Sequence, residues 1–140
     1  MTTYEAATVT RSRTHTWEPR PEPTAELLEM TGRAVFEGDP GDHLLNPMGT
    51  VHGGFLATLL DSALGSAVMG RLPAGSAYTT VQLGVHLIRP VLPVTATLRC
   101  GGVALHVGRT TATAEARVTG TADGKPYAHG TTTCAVLRTG

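Results

Sequence analysis

No sign of charge dominates this sequence. Lys plus Arg and Asp plus Glu number 11 each, so the formal charge is zero at neutral pH. The basic residues are scattered, which argues against a protein that coats nucleic acid or an anionic membrane. Near-zero charge is compatible with self-association. Cysteine is nearly absent. Cys100 and Cys134 stand alone, with no CxxC and no Cys/His spacing suited to zinc. Both fall in strand-like stretches and are expected to be free buried thiols, packing as small hydrophobes. No apolar run approaches the roughly 18 residues of a charge-free membrane span. The opening MTTYEAATVTRSRTHTWEPRPEP has no apolar segment of the secretory kind, so a cytoplasmic protein is the simplest expectation. GxSxG, HExxH, P-loop and GxGxxG motifs are missing. His15, His43, His86, His106 and His129 show no ligand spacing, and no metal is expected.

What is present suits one domain with one core: 140 residues, 41% of them apolar. Residues 1–24 are Thr- and Pro-rich and read as a flexible polar arm. The domain proper is expected over 25–140. Ala25–Met30 reads as one or two helical turns, or as part of a hairpin turning at Thr31-Gly32 with Arg33–Gly38 as its second strand. Gly38–Gly49 is dense in Gly, Pro, Asp and Asn, which marks a loop.

A helix follows. Gly53-Gly54 lie at its start, apolar residues run from Phe55 to Met69, and Gly70 and Pro73 end it. Beyond Gly75 the period becomes two. Val81, Leu83, Val85 and Leu87 alternate with Thr80, Gln82, Gly84 and His86, as in a half-buried strand that Pro90 and Pro93 terminate. Val94, Ala96, Leu98 and Cys100 alternate again, and Gly101-Gly102 suggests a bulge or turn. Residues 103–120 read as one long strand, with Ala112, Ala114, Ala116 and Val118 on one face. Asp123-Gly124 is a strong hairpin signal, and Tyr127–Arg138 returns. Helix and strands are segregated, so the class is α+β with a meander of antiparallel strands. One helix, apolar nearly all round, must be buried on more than one side. A sheet of five to six strands curled around it satisfies both facts, and edge-strand pairing between two chains would remove an exposed edge.

The helix carries one acid, Asp61. On a 3.6-residue period Asp61 aligns with Gly54, Thr58 and Gly65, a small and polar stripe. Close packing against another helix explains such a stripe. So does a groove beside a working carboxylate, and an isolated buried charge is costly enough to favour that explanation. The helix start offers a second feature. Its first amides have no intrahelical partner and lie at the positive end of the dipole. Gly53 and Gly54 let a ligand oxygen approach them, the geometry of an oxyanion hole, or they simply permit the turn. Asp61 lies roughly 10–12 Å further along the axis, too far to share one reacting atom with those amides. An Asp61 from a second chain would close the gap. His52 is able to bond the loop or a substrate carbonyl, and turn chemistry alone accounts for Asn46.

NPMGTVHGGFLATLLDSALGSA, TTVQLGVHLIRPV and GRTTATAEARVT with DGKPYAHGTTTCAV together resemble the PaaI-type hotdog-fold acyl-CoA thioesterases over residues 33–138. The features that carry this are an Asn six before His-Gly-Gly, an acid nine after the His, a strand ending in Arg-Pro and a Gly-Arg in the next hairpin. The resemblance implies a hotdog fold, a homodimer that builds the active site at its interface, and usually a homotetramer. It implies Asp61 as general base or nucleophile toward the thioester. Gly53 would polarise the thioester carbonyl through its amide, with Asn46 and His52 holding thioester or water on the other chain. Acyl-CoA is the implied small-molecule partner, and coenzyme A is part of the substrate rather than a cofactor. Gly54, Thr58 and Ser62 lie along the implied groove. Arg89, Gly108 and Arg109 are candidates for the coenzyme A phosphates, or are solvated strand-end residues. Thr80, Gln82 and Leu64 are candidates for the acyl pocket. Some relatives have Ser or Thr four residues after the acid; here Gly65 stands there, leaving that role vacant or to Ser62 or Ser66. Relatives also tend to carry a helix and full strand before GRAVFEG, where this chain has a shorter Pro-rich segment. An acyl-CoA sensor without turnover is the main alternative. A dehydratase or hydratase of the same fold wants a catalytic His with a paired Asp, which the helix region lacks.

Overall fold

The computed structural model describes residues 32–138 in full and residues 7–10 and 18–21 by their backbone. Strands β1 (Ala7–Thr10) and β2 (Glu18–Pro21) pair antiparallel as a two-stranded ladder. The rest of the proposed arm, and the segment Ala25–Met30 with Thr31, lie outside the described residues. The body follows as β3 (Arg33–Gly38), a 3₁₀ turn (Asp42–Leu44), helix α1 (Gly53–Met69), β4 (Ser76–Leu87), β5 (Leu98–Val107), β6 (Thr111–Gly120) and β7 (Pro126–Arg138). Every ladder in the five-stranded sheet is antiparallel, in the order β3-β5-β6-β7-β4.

The expected meander holds only for β5-β6-β7. β4 pairs with β7 and β3 with β5, so the segment 88–97 must carry the chain back across the molecule. It passes beside the loop before α1, where the Val51 amide donates to Val91 O at 2.8 Å. This route leaves β4 as one edge of the sheet.

Helix α1 packs against all five strands β3–β7. Five strands at about 4.8 Å spacing span ~19 Å, while a helix with its side chains is about 10–12 Å across. A flat sheet cannot bring both edges to one helix, so the sheet wraps it. Three register shifts supply local bending, at Thr80/Gln82 in β4, at Ala104/His106 in β5 and at Val118/Thr119 where β6 pairs with β7. Leu59, Leu60, Ala63, Leu64, Ala67 and Val68 of α1 are fully shielded. They meet the inward alternation Ala112, Ala114, Ala116, Val118 of β6, which follows the sequence expectation. Each buried Leu contributes about 1.5–3 kcal/mol relative to exposure. Cys100 and Cys134 are free and buried, as expected. Burial pushes the Cys100 thiol up to about 12, so it is inert at neutral pH.

Three local expectations give way to the structure. The expected bulge or turn at Gly101-Gly102 does not form; β5 runs straight through it. A Cβ on Gly102 would lie 2.6 Å from Ala63 O, so this glycine admits the helix backbone to the sheet. The long strand over 103–120 is two strands, broken at Gly108–Thr110, where Gly108 N donates to Thr111 O at 2.8 Å. In β4 the bulge falls on Val81, which is 63% exposed. It shifts the alternation by one, so Thr80 joins Leu83, Val85 and Leu87 on the helix face and comes 3.9 Å from Cys134 Sγ.

Gly102→Ala is expected to lower stability by about 1–3 kcal/mol, the usual cost of overpacking. Gly101→Ala, whose Cβ meets nothing within 4 Å, is expected to be neutral or slightly stabilising. Urea unfolding midpoints of the two variants check the contrast.

Candidate active site

The loop before α1 is held by its own side chains. Asn46 Oδ1 accepts from the amides of Met48 (3.0 Å) and Thr50 (3.2 Å), and Asn46 Nδ2 donates to Thr50 Oγ1 at 2.8 Å. Gly49, at φ +82, makes the turn between them. The same loop is sealed by Asn46 N to Thr50 O (2.8 Å) and His52 N to Leu44 O (2.8 Å). His52 stands at the N-cap with an exposed ring and no side-chain capping bond. Phe55 N donates to His52 O at 3.0 Å. The amides of Gly53 and Gly54 have no partner among the described residues. They are donors at the positive end of a 17-residue helix with no acidic residue in its first turn.

The two glycines differ. A Cβ on Gly53 would approach Leu87 Cδ1 to 2.7 Å, so close packing of β4 accounts for it. A Cβ on Gly54 would meet nothing within 4 Å. Its bare Cα leaves the helix start open to a ligand.

Asn46, Thr50, Gly53, Leu56, Leu87 and Arg89 line one cleft of about 230 Å³ at this helix end. Three residues singled out in the sequence, Asn46, Gly53 and Arg89, are thus brought together. The Arg89 guanidinium lies 5.7 Å from the centre of the Tyr127 ring, and its Nε donates to Pro126 O at 3.4 Å. Tyr127 in turn donates to Asp123 Oδ2 at 2.9 Å, and Asp123 Oδ1 accepts from the Lys125 amide at 2.9 Å. The sequence revealed Asp123 as a turn residue but not this support beneath Arg89.

Asp61 is not in that cleft. It lies eight residues on, about 12 Å along the axis. It is exposed, with no hydrogen bond or ion pair among the described residues. Gly54 and Thr58 on the same stripe are also exposed, and Ser62 is half-buried. The Thr58 hydroxyl is committed to Gly54 O at 2.8 Å. The acid therefore faces space, as the helical stripe implied, rather than the core. Ser66 points the other way and is buried. Gly108 and exposed Arg109 sit in the β5–β6 turn. Leu64 is core, Thr80 faces the helix, and Gln82 sits on the outer sheet face. A wider depression of about 350 Å³ on that outer face is lined by Arg99, Gly101, Glu115 and Arg117. None of the site residues singled out in the sequence lines it, and a Cβ on Gly101 would project into open space there. Among the described residues no group of His, Cys, Asp and Glu suits a metal ion. No described helix is long and apolar enough to cross a membrane.

The sequence profile of the thioesterase superfamily matches residues 48–126, from the loop before α1 into β7. The chain belongs to the thioesterase superfamily, a family of thioester hydrolases, and its architecture is the hotdog fold. No curated protein matches it. Several solved structures do. A Bacillus halodurans protein with CoA shares 34% identity over 76% of this chain and 68% of its own, with a TM-score of 0.68. A putative thioesterase of Ralstonia eutropha, related to phenylacetic acid degradation, shares 28% over 76% and 77%, also at 0.68. A Streptococcus mutans protein bound to acetyl CoA shares 27% over 78% and 84%, at 0.67.

The support beneath Arg89 predicts a pH signature. The Lys125 amide and then the Tyr127 hydroxyl hold the Asp123 carboxyl below its usual 3.8. A lowered folded value adds stability that is present above 3.8 and lost as pH falls through the folded value. Asp123→Asn should therefore melt below wild type at pH 7, with the gap closing on acidification below pH 3.8. Thermal melts across pH check this.

Proposed function

We propose that this protein hydrolyses acyl-CoA thioesters, aryl or medium-chain, to the free acid and coenzyme A, as a PaaI-type enzyme of the cytoplasm. The observation that carries the reading is the division of one helix into two ends. Free amides and a cleft with Arg89 lie at Gly53-Gly54, and an unpaired exposed carboxylate lies two turns on. Each end holds half of what thioester hydrolysis requires, which is stabilisation of one oxyanion and activation of one nucleophile. The cleft volume, about 230 Å³, is also below the 300–1,000 Å³ usual for a complete ligand pocket.

The working site is composed from two chains. Asp61 of one chain faces the Gly53 amide, Asn46 and His52 of the other. Support for the pairing comes from the β4 edge and its continuation, where Val81, Leu87 and Ile88 are 63%, 56% and 49% exposed. Edges of this kind are covered by another strand or by another chain. The homodimer pairs again to a homotetramer.

In the proposed reaction the Gly53 amide polarises the thioester carbonyl. Asp61 either takes the proton from an attacking water or attacks the carbonyl carbon itself. In that second route the C–S bond breaks and coenzyme A leaves as the thiolate. Water then hydrolyses the acyl–Asp61 anhydride to the free acid, restoring the carboxylate and giving its proton to the thiolate. In the first route the water oxygen bonds to carbon, negative charge gathers on the carbonyl oxygen, the C–S bond breaks, and the leaving thiolate takes up the proton. Arg89 and Arg109 are suited to the coenzyme A phosphates. Coenzyme A enters as part of the substrate, and the steps call for no cofactor. CoA and acetyl CoA in the Bacillus halodurans and Streptococcus mutans relatives support this ligand class. The sensor alternative leaves the exposed carboxylate without a purpose.

Thiol release from a panel of acyl-CoAs tests the proposal. Wild type is expected to turn over, and Asp61→Asn and Asp61→Ala to lose about 100- to 10,000-fold in kcat with little change in KM. Equal rates in all three remove Asp61 from the chemistry. Binding without turnover by wild type establishes the sensor instead.

A further inference from the structure

Arg89 is held firmly at the cleft, yet nothing that touches it carries a compensating charge. Its backbone is tied twice to the start of β7, where the amides of Ile88 and Arg89 both donate to Tyr127 O, at 2.9 and 3.2 Å. Its Nε donates to Pro126 O, and its guanidinium lies over the Tyr127 ring. A carbonyl and an aromatic face attract a cation without neutralising it. Among the described residues no carboxylate is ion-paired with Arg89.

The acid of this hairpin is engaged otherwise. Asp123 accepts from the Tyr127 hydroxyl and from the Lys125 amide, so it braces the ring instead of pairing with the arginine. Gly120 makes room for that brace. A Cβ there would overlap Asp123 Oδ1 and lie 3.0 Å from Tyr127 Cε2. The brace also has something to prevent. Asp123 and Tyr127 adjoin a cavity of about 120 Å³ that Arg89 does not line, so an unbraced ring has space to swing away from the guanidinium.

A guanidinium carries five N–H donors in a fixed fork. Arg89 spends its Nε–H on Pro126 O, and its Nη groups make no hydrogen bond among the described residues. With Nε and one face held, the Nη edge has a set direction. Its two parallel donors match two oxygens of a phosphate.

We infer that Tyr127 and Asp123 are positioning residues for phosphate recognition: they aim the Arg89 guanidinium while leaving its charge to be met by a phosphate of the coenzyme A moiety, and so favour phosphate-bearing thioesters over phosphate-free ones. The inference rests on Arg89 meeting those phosphates, as in the proposed function.

Calorimetric titration with coenzyme A and with pantetheine, the same thiol arm without phosphate, tests this whether or not the protein turns over. Wild type is expected to prefer coenzyme A, and Arg89→Ala to cut that preference by about 10- to 100-fold. Tyr127→Phe keeps the ring and removes one half of the brace, and Asp123→Ala removes the other half. Each is expected to cut the preference by about 3- to 10-fold with pantetheine affinity unchanged, and the double variant by no more than either alone, because both act through one hydrogen bond. In thiol release the same variants should raise KM for acyl-CoA but not for acyl-pantetheine, with kcat unmoved. A tyrosine that only supports the fold changes both affinities together or neither. If Arg89→Ala lowers the preference while Tyr127→Phe and Asp123→Ala keep it at the wild-type value, this inference alone is overturned. If Arg89→Ala leaves the preference intact, the assignment of Arg89 to the phosphates falls and takes this inference with it.

Discussion

Helix α1 can be shielded by the sheet on most of its circumference but not on all of it. Five strands reach it, and the residues that meet them are Leu, Ala and Val with no solvent exposure. The remaining stripe carries Gly54, Thr58 and Asp61, all exposed. Among the described residues no strand comes over them, which leaves room for small or charged side chains. The position of the acid, the cleft at the helix start and the bare β4 edge all follow from that incomplete wrapping. The stripe stops at Gly65, where Tyr78 closes it.

A second constraint is the pitch of the helix. Its rise of about 1.5 Å per residue keeps the Gly53-Gly54 amides and the Asp61 carboxylate about 12 Å apart on one chain. No side-chain rotation removes that distance. Any reaction that uses both ends at one carbon atom must borrow one of them from another molecule, and in the proposed function the lender is a second copy. The Asp123–Tyr127–Arg89 chain shows how the fold stiffens its own half, fixing a cation at the cleft with a carboxylate more than 30 residues away in sequence.

Much of this was legible in the residues. Gly70 and Pro73 marked the helix end, and the alternation in Ala112–Val118 marked the inward face of β6, because both depend on local periodicity. The Asp61 stripe could be drawn from helix geometry alone. Val81 was not legible as a bulge, since a β-branched residue in a strand looks like any other strand position. Gly101-Gly102 suggested a turn because the demand on Gly102 comes from the Ala63 carbonyl, which only the tertiary fold brings near. The same holds for Tyr78 over Gly65, and for the meeting of Asn46, Gly53 and Arg89. Those contacts join elements whose separation in sequence carries no trace of their proximity.

The central claim is that one catalytic site is completed by two chains, and subunit complementation tests it most directly. Asp61→Asn protein lacks the acid half. Gly54→Val protein carries a side chain where the helix start must stay open, so it lacks the oxyanion half. Each alone should be nearly inactive. Refolded together at equal concentration, random pairing makes half of the dimers mixed, and each mixed dimer contains one intact site, so about a quarter of wild-type activity should return. Recovery near that level supports a site shared across the interface. Mixtures no more active than their parents, although mixed dimers form, would contradict it.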